Sequence, residues 1–152
     1  MNTNAEQQIL TYVLAGDGLA TSGQPTEEQI RDIAAAGYRT VINLAMPTSP
    51  GALADERKSV EAAGMEYIGI QVDFSAPTAD HYDRFEAELR QRAGTPVWVH
   101  CALNYRVSAF IAAYRVRALG WDPDAAQAAV RQIWEPDPIW ADWLAQQIRR
   151  PR

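Results

Sequence analysis

The chain has few of the residues that cross-link small proteins or build metal centres. Its 152 residues include one cysteine, Cys101, and two histidines, His81 and His100. A single cysteine excludes an internal disulfide and a Cys-rich zinc cluster, and two histidines leave few ligands for another kind of metal site. We therefore expect no metal and no cofactor. Cys101 is either a small buried apolar residue or a reactive thiol.

Long apolar runs and an excess of positive charge are absent as well. No stretch approaches the roughly 18 uninterrupted apolar residues of a membrane span. The segment MNTNAEQQIL lacks the basic region followed by an apolar region that is typical of a secretory signal peptide. The formal net charge of −5 gives no electrostatic footprint for nucleic acid or anionic lipid. We expect a cytoplasmic protein that binds neither nucleic acid nor membranes, and the sequence leaves its oligomeric state unknown.

Short apolar runs alternate with amphipathic helical segments along the chain. Apolar strands are predicted at YRTVINLAM, MEYIGIQVDF and TPVWVH, with helical segments between them, and TYVLAGDGLATSGQP predicts a short strand and a Gly-rich turn. This alternation predicts an α/β fold and a single domain over residues 1–152. Its mainly parallel central sheet of about four or five strands would be flanked by helices and followed by a helical C-terminus.

Local signals predict the ends of the helices. Thr26 is expected to cap the first helix, and Asp80 a later helix that starts near His81. Glycines end several helices and Asp-Pro pairs open the last two: Gly37, Gly64, Gly94, Asp122–Pro123 and Asp137–Pro138.

Other polar and aromatic features are interpreted as structural. The charge run Asp55–Lys58 predicts a solvated helix face that contributes little to stability, and His81 is expected on a helix surface. Core packing is predicted for four C-terminal tryptophans at roughly helical spacing: Trp121, Trp134, Trp140 and Trp143.

The segment VWVHCALNYRVSAF, Val97–Phe110, has the strongest chemical signal. A predicted strand ends in His100 and Cys101, a short loop follows, and a helix begins near Arg106. Ligands of α/β sheets bind beyond the carboxyl ends of the strands, and a helix N-terminus favours both a bound anion and a thiolate. A guanidinium adds a bidentate clamp for a tetrahedral oxyanion. The pattern predicts a thiolate nucleophile in an anion pocket, and the plainer alternative is a buried core cysteine.

At these residues the chain resembles the cysteine-based protein tyrosine and dual-specificity phosphatase superfamily, whose signature is His-Cys, five residues, Arg, then Ser or Thr. It is most similar to a bacterial phosphatase-like family that resembles the domain fused to some β-lactamase-like hydrolases. That family has an SGQP segment before a helix and a VINL strand, present here at Ser22–Pro25 and Val41–Leu44. The resemblance extends from about Leu14 to about Leu119. It implies a phosphatase-like fold and hydrolysis of phosphate monoesters through a phosphocysteine, with a phosphorylated small molecule or protein, including phosphotyrosine, as substrate.

The resemblance also implies roles for individual residues. Cys101 is the implied nucleophile and Arg106 the phosphate ligand, while His100 supports the thiolate and Ser108 assists its departure. The implied substrate-binding loop has four residues: Ala102, Leu103, Asn104 and Tyr105.

Asp73 is the predicted general acid. Phosphoryl transfer to a thiolate requires a proton for the leaving oxygen. Asp73 follows the strand YIGIQV and opens the loop DFSAPTAD, and similar phosphatases place their acid at such a strand end, on a movable loop before a helix. Arg39 or Arg84 could add positive charge if Arg106 points away, although no spacing supports either.

The chain departs from the signature at one point, because four residues rather than five separate Cys101 from Arg106. Either the loop is one residue shorter, or Val107 occupies the usual position of the arginine. A shift of one residue turns a helical side chain by about 100°, so Arg106 reaches the site only if the preceding turn tightens, and activity is expected to be weak. Asn104 tolerates the left-handed backbone of a tight turn. Tyr105 either flanks the pocket or covers the sheet edge.

Two other functions stay open on the sequence alone. Rhodanese-like sulfurtransferases resemble the chain in having a catalytic cysteine on a loop of about this length, and their persulfide chemistry needs no general acid. A pseudophosphatase would bind phosphate without turnover. Because one loop shape can serve phosphorus or sulfur chemistry, the fold alone does not decide between them.

Overall fold

The computed structural model describes residues 4–152. Residues 1–3, which begin the segment MNTNAEQQIL that was compared above with a signal peptide, lie outside the described residues. Within the described part, a 3₁₀ turn at Ala5–Gln8 precedes five strands and six helices, in this order: β1 Val13–Gly16, β2 Leu19–Ser22, α1 Glu27–Ala35, β3 Thr40–Asn43, α2 Glu56–Ala62, β4 Glu66–Gly69, α3 Ala79–Gln91, β5 Val97–His100, α4 Tyr105–Arg117, α5 Pro123–Arg131 and α6 Pro138–Arg149.

The strands form one sheet in the order β1-β2-β5-β3-β4. β1 pairs antiparallel with β2, and the other neighbouring strands are parallel. The prediction of an α/β fold with a mainly parallel sheet and a helical C-terminus is confirmed. One detail differs, because TYVLAGDGLATSGQP forms a two-stranded hairpin rather than one strand and a turn. Gly18, with φ 70°, lies in its turn.

Both faces of the sheet are covered. Trp98 of β5 packs with Ile30 of α1 and Val60 of α2 on one face, whereas Val99 packs on the opposite face with residues of α3 to α6. Side chains alternate between faces along a strand, so a strand covered on both faces is apolar throughout. No helix in residues 4–152 is long and apolar enough to cross a membrane.

Most helix ends follow the local signals. Thr26, Asp122 and Asp137 cap α1, α5 and α6 as predicted. The predicted cap at Asp80 was wrong, because Thr78 caps α3 in a reciprocal capping box. The Thr78 hydroxyl accepts a backbone N–H three residues further on, which places Asp80 inside the first turn.

The C-terminal tryptophans do not share one environment. Trp140 and Trp143 are buried in the core, as predicted. Trp121 is 39% exposed and lies under the guanidinium of Arg115, so the core prediction was wrong for this residue. Trp134 is half-buried and lies beside the cleft described next.

Candidate active site

A cleft of about 420 Å³ opens at the carboxyl edge of the sheet. Its lining includes most of the residues that the sequence predicted for the site: Asp73, Cys101, Ala102, Leu103, Tyr105 and Arg106. Parallel strands end together at this edge, which brings residues distant in sequence into one site. Tyr105 therefore flanks the pocket, which settles the choice left open by the sequence.

Cys101 follows β5 directly and is buried where it lines the cleft. Its backbone N–H donates to the Ser22 carbonyl at 3.4 Å, which extends the pairing of β2 with β5. The preceding residue, His100, is completely buried. His100 Nδ1 lies 3.1 Å from the Cys101 carbonyl oxygen, and His100 Nε2 lies 2.5 Å from Glu56 Oε2. A buried histidine thus joins the backbone at Cys101 to a buried carboxylate.

The Glu56 carboxylate is buried and pairs with this histidine. Burial alone would raise the pKa of Glu56, but the charge and hydrogen bond of His100, with a further hydrogen bond from Gln24, hold this pKa below its ordinary value. The ionised carboxylate can only accept hydrogen bonds, and so can the Cys101 carbonyl oxygen. Both ring nitrogens of His100 therefore lie beside hydrogen-bond acceptors, the Cys101 carbonyl oxygen and the Glu56 carboxylate.

Glu56 is a site residue that the sequence analysis missed. It lies in the run Asp55–Lys58, which was predicted to be a solvated face, and that prediction was wrong for Glu56. Its partner His100 is 44 positions away in the sequence, so no local pattern distinguishes it from its exposed neighbours.

The SGQP segment contacts the cysteine loop through its backbone. A Cβ on Gly23 would lie 2.5 Å from the Ala102 carbonyl oxygen, so the close approach of the two chains requires glycine. Gln24 N–H donates to the same oxygen at 2.9 Å, and Gln24 Nε2 donates to Glu56 Oε1 at 3.0 Å. One short segment thus fixes both the loop and the carboxylate that pairs with His100.

Asn104 tightens the turn into α4. It has φ 71° and ψ 6°, the left-handed conformation that the sequence analysis considered for this residue. Its side-chain Nδ2 donates to the Thr11 carbonyl at 2.9 Å and to Thr21 Oγ1 at 3.0 Å. Because these partners lie behind the loop, the Asn104 side chain shapes the loop and does not line the cleft, so only the backbone of Asn104 can take the substrate-binding place that was predicted for it.

The tight turn brings Arg106 into the cleft. Its side chain is only 5% exposed, and its Nη1 and Nη2 groups donate to the Val72 carbonyl at 2.9 Å and to Ser49 Oγ at 3.3 Å. Nε is buried and has no acceptor among residues 4–152. Val107 instead packs in the core. The loop is therefore one residue shorter, and Arg106, not Val107, faces the cleft.

Free backbone N–H groups surround the cysteine. In the described part of the chain, no protein acceptor pairs with the N–H groups of residues 102–106. They include the first N–H groups of α4, where the helix dipole is positive. Together with the unpaired Arg106 Nε they form a set of donors suited to a tetrahedral oxyanion.

Asp73 lies on the opposite loop and is exposed. Its Oδ1 accepts hydrogen bonds from the Ser75 backbone N–H at 2.9 Å and from the Ser75 hydroxyl at 2.8 Å. These two bonds lower the pKa of Asp73, and the charge of Arg106 lowers it slightly further. The carboxylate is thus ionised at neutral pH in this conformation, and a role as proton donor requires it to leave Ser75.

The structure does not bring Ser108 to the cleft. Its hydroxyl donates to the Tyr105 carbonyl at 2.7 Å and accepts from Trp134 Nε1 at 2.9 Å, and it lines a separate cavity beside α5. The predicted help with thiolate departure therefore has no supporting contact. Arg39 and Arg84, considered as auxiliary cations, do not line the cleft either.

Several lining residues carried no sequence signal, because their positions depend on how the loops fold: Met46, Thr48, Ser49, Pro50 and Phe74. Phe74 also contacts Trp134, with ring centroids 5.7 Å apart, and Trp134 stacks on Tyr105 at 4.5 Å. The cleft thus has an aromatic wall that continues into the C-terminal helices.

The chain is similar to known phosphatases. The model of the family described as "DSP-PTPase phosphatase fused to NAD+ Kinase" matches residues 15–134. A solved candidate phosphatase (DUF442) from Shewanella putrefaciens CN-32 is 34% identical, with a TM-score of 0.86 and coverage of 96% of each chain. No curated protein matches the chain.

Two more distant structures are similar in fold alone. Tk-PTP in its active form is 20% identical, with a TM-score of 0.78 and coverage of 93% of this chain and 98% of its own. The core catalytic domain of the PP-IP phosphatase SIW14 from S. cerevisiae, in complex with citrate, is 11% identical, with a TM-score of 0.76 and coverage of 91% and 86%.

Proposed function

Because the chain belongs to the family of DSP-PTPase phosphatases, we propose that it hydrolyses phosphate monoesters through a phosphocysteine intermediate. One observation carries the proposal: Cys101 and the buried guanidinium of Arg106 line the same cleft. The substrate is a phosphorylated small molecule or protein.

Cys101 is the proposed nucleophile. The reactive form of cysteine is the thiolate, and the N-terminus of α4 places positive charge near it. The thiolate attacks phosphorus, so that an S–P bond forms while the bond from phosphorus to the leaving oxygen breaks. Arg106 Nε–H and the free N–H groups of residues 102–106 stabilise the negative charge on the other three phosphate oxygens.

Asp73 is the proposed proton donor to the leaving oxygen. Its carboxylate is hydrogen-bonded to Ser75, so Ser75 must release the carboxyl group when a substrate enters. After the alcohol leaves, the Asp73 carboxylate takes a proton from water, and the water cleaves the S–P bond to give phosphate and free thiolate. Phosphoryl transfer needs an acid and sulfur transfer does not. The presence of Asp73 in the same cleft as Cys101 therefore favours phosphoryl transfer.

The test is hydrolysis of para-nitrophenyl phosphate by the wild type and by Cys101→Ser. We expect turnover in the wild type and none above background in the variant, since a hydroxyl is a far weaker nucleophile than a thiolate. Turnover by Cys101→Ser at the wild-type rate would contradict the proposal. Circular dichroism of both proteins checks that the substitution leaves the fold intact.

A further inference from the structure

We infer that the substrate carries a single phosphate on an apolar alcohol, with an aromatic ring or a group of similar size, and that polyanionic phosphates are poor ligands. The inference rests on the proposed function and narrows its substrate class. Two observations carry it independently: the distribution of charge around the cleft and the composition of its walls.

Arg106 is the only lysine or arginine among the described residues that line the cleft. The chain segments that contain the lining residues, 44–54, 70–78 and 101–106, include no other lysine or arginine. Two nitrogens of Arg106 already donate to Val72 and Ser49, which leaves donors for one phosphate. Acidic residues also occur here, because Asp73 lines the cleft and Glu135 follows Trp134.

A second phosphate would find no cation in these segments. A doubly charged group that loses water without gaining a partner is strongly disfavoured, and the net charge of −5 repels polyanions as they approach. The positive charge of the site is thus matched to one phosphate group.

The walls of the cleft are apolar. Phe74 and Leu103, from two different loops, are 36% and 44% exposed, and Met46 and Pro50 also line the cleft. Tyr105 is supported from behind by Trp134, whose ring is almost parallel to it, with an angle of 4° between planes. Such rigid aromatic and aliphatic surfaces bind the apolar part of a ligand.

The test compares three phosphates at low ionic strength: phenylethyl phosphate, glycerol phosphate and inositol hexakisphosphate. The first two release primary alcohols, so they differ in the apolar group more than in the leaving oxygen. We expect kcat/KM for phenylethyl phosphate to exceed that for glycerol phosphate by about tenfold or more, and inositol hexakisphosphate to be neither hydrolysed nor inhibitory. Hydrolysis of inositol hexakisphosphate at a kcat/KM equal to that for phenylethyl phosphate would overturn the inference and leave the proposed function standing.

Two variants separate charge from apolar contact. Leu103→Arg adds a cation at the cleft and should make inositol hexakisphosphate a competitive inhibitor. Its control, Leu119→Arg, makes the same change at an exposed residue that lines a different cavity. It should leave both kcat/KM values, and the lack of inhibition by inositol hexakisphosphate, unchanged. Phe74→Ala should lower the ratio of kcat/KM between phenylethyl and glycerol phosphate by about tenfold. An unchanged ratio would overturn the role of the aromatic wall.

Binding separates the inference from the proposed function. If the wild type hydrolyses neither para-nitrophenyl phosphate nor any of the three compounds, the proposed function fails. The three compounds are then titrated against Cys101→Ser by tryptophan fluorescence, with Trp134 beside the cleft as reporter. Tighter binding of phenylethyl phosphate supports the substrate class. Tighter binding of inositol hexakisphosphate, or no binding of phenylethyl phosphate, overturns it.

Discussion

The two loops that meet at the cleft are held in different ways. The cysteine loop, residues 101–104, is held by bonds between residues far apart in sequence, from Gln24 to the Ala102 carbonyl and from Asn104 to Thr11. The Asp73 loop, residues 70–78, is more exposed. Distant residues also hold its backbone, because Arg106 donates to the Val72 carbonyl and Trp140 to the Phe74 carbonyl, but the Asp73 carboxylate is bonded only two residues further on, to Ser75. The proposed nucleophile therefore lies in a preformed donor set, whereas the carboxylate of the proposed acid is held by a local bond that a substrate can displace.

This difference assigns separate tasks to the two loops. A preformed set of donors lowers the cost of organising charge in the transition state, and it tolerates no change in loop shape. An acid whose carboxyl group has only a local bond can turn toward the substrate and complete the site after binding. Variants in the cysteine loop should therefore lower kcat/KM for every substrate. The loss of activity in variants of the Asp73 loop should depend on the leaving group and on pH.

The largest effect of a conservative change is expected at Arg106. Arg106→Lys keeps the charge but loses the planar donor pair, so kcat/KM should fall by about 100-fold to 1,000-fold for all phosphate esters. Steady-state kinetics measure the loss, with the exposed Arg131→Lys as a matched control. An equal, small effect of both substitutions would remove Arg106 from the anion site.

Asp73→Asn tests the other loop. Removal of a general acid should lower kcat by about 100-fold for an alkyl phosphate and much less for para-nitrophenyl phosphate, whose leaving alcohol needs no proton. The same substitution at the exposed Asp142 serves as control. If the two substrates lose activity equally, Asp73 is not the proton donor.

Glu56→Gln tests the support of the cysteine loop. The buried His100 would lose its carboxylate partner, at a cost of about 2 kcal/mol in the free energy of unfolding. Because the folded pKa of Glu56 is lowered, its contribution to stability is present above the ordinary carboxyl pKa and is lost as the pH falls through the folded pKa. Urea unfolding at several acidic pH values should show this loss in the wild type but not in Glu56→Gln. The exposed Glu61→Gln on the same helix is the control, and equal stability of both variants would contradict the ion pair.

Ser75→Ala should have the smallest effect. It removes the hydroxyl that bonds Asp73 and thereby raises the lowered pKa of this carboxyl group. Since an acid acts only while protonated, the basic limb of the kcat/KM profile should move to higher pH. The measurement is a pH–rate profile of the variant beside that of Ser59→Ala. If the basic limb of the kcat/KM profile stays in place or moves to lower pH, ionisation of Asp73 does not determine that limb.

The sequence predicts those parts of the fold that depend on neighbouring residues. Thr26, Asp122 and Asp137 cap helices because a cap needs only its own side chain and the N–H groups of the next turn. The same reasoning predicted Asp80 as the cap of α3, although Thr78 caps it. Asp and Thr are both good caps, and the two residues lie close together in the sequence. The strands followed from their continuous apolar composition.

The candidate site depends on contacts that no local pattern contains. Cys101, Arg106 and Asp73 were predicted because a signature and a strand end mark them, and all three line the cleft. Glu56 was missed because its charge run looks solvated until His100 is brought to it. Ser108 matches the signature, yet Trp134 from the C-terminal part of the chain binds its hydroxyl. The roles of these residues in catalysis remain predictions.

The most direct test of the account is to identify the group that Cys101 carries during turnover. The wild type is mixed with para-nitrophenyl phosphate, quenched in acid within milliseconds, and digested for mass spectrometry of the peptide that contains the only cysteine in the chain. The account predicts the added mass of one phosphoryl group on Cys101, absent from the same peptide of Cys101→Ser. An unmodified thiol during active turnover would contradict it. The added mass of one sulfur after treatment with thiosulfate, without any phosphoryl adduct, would identify a sulfurtransferase instead.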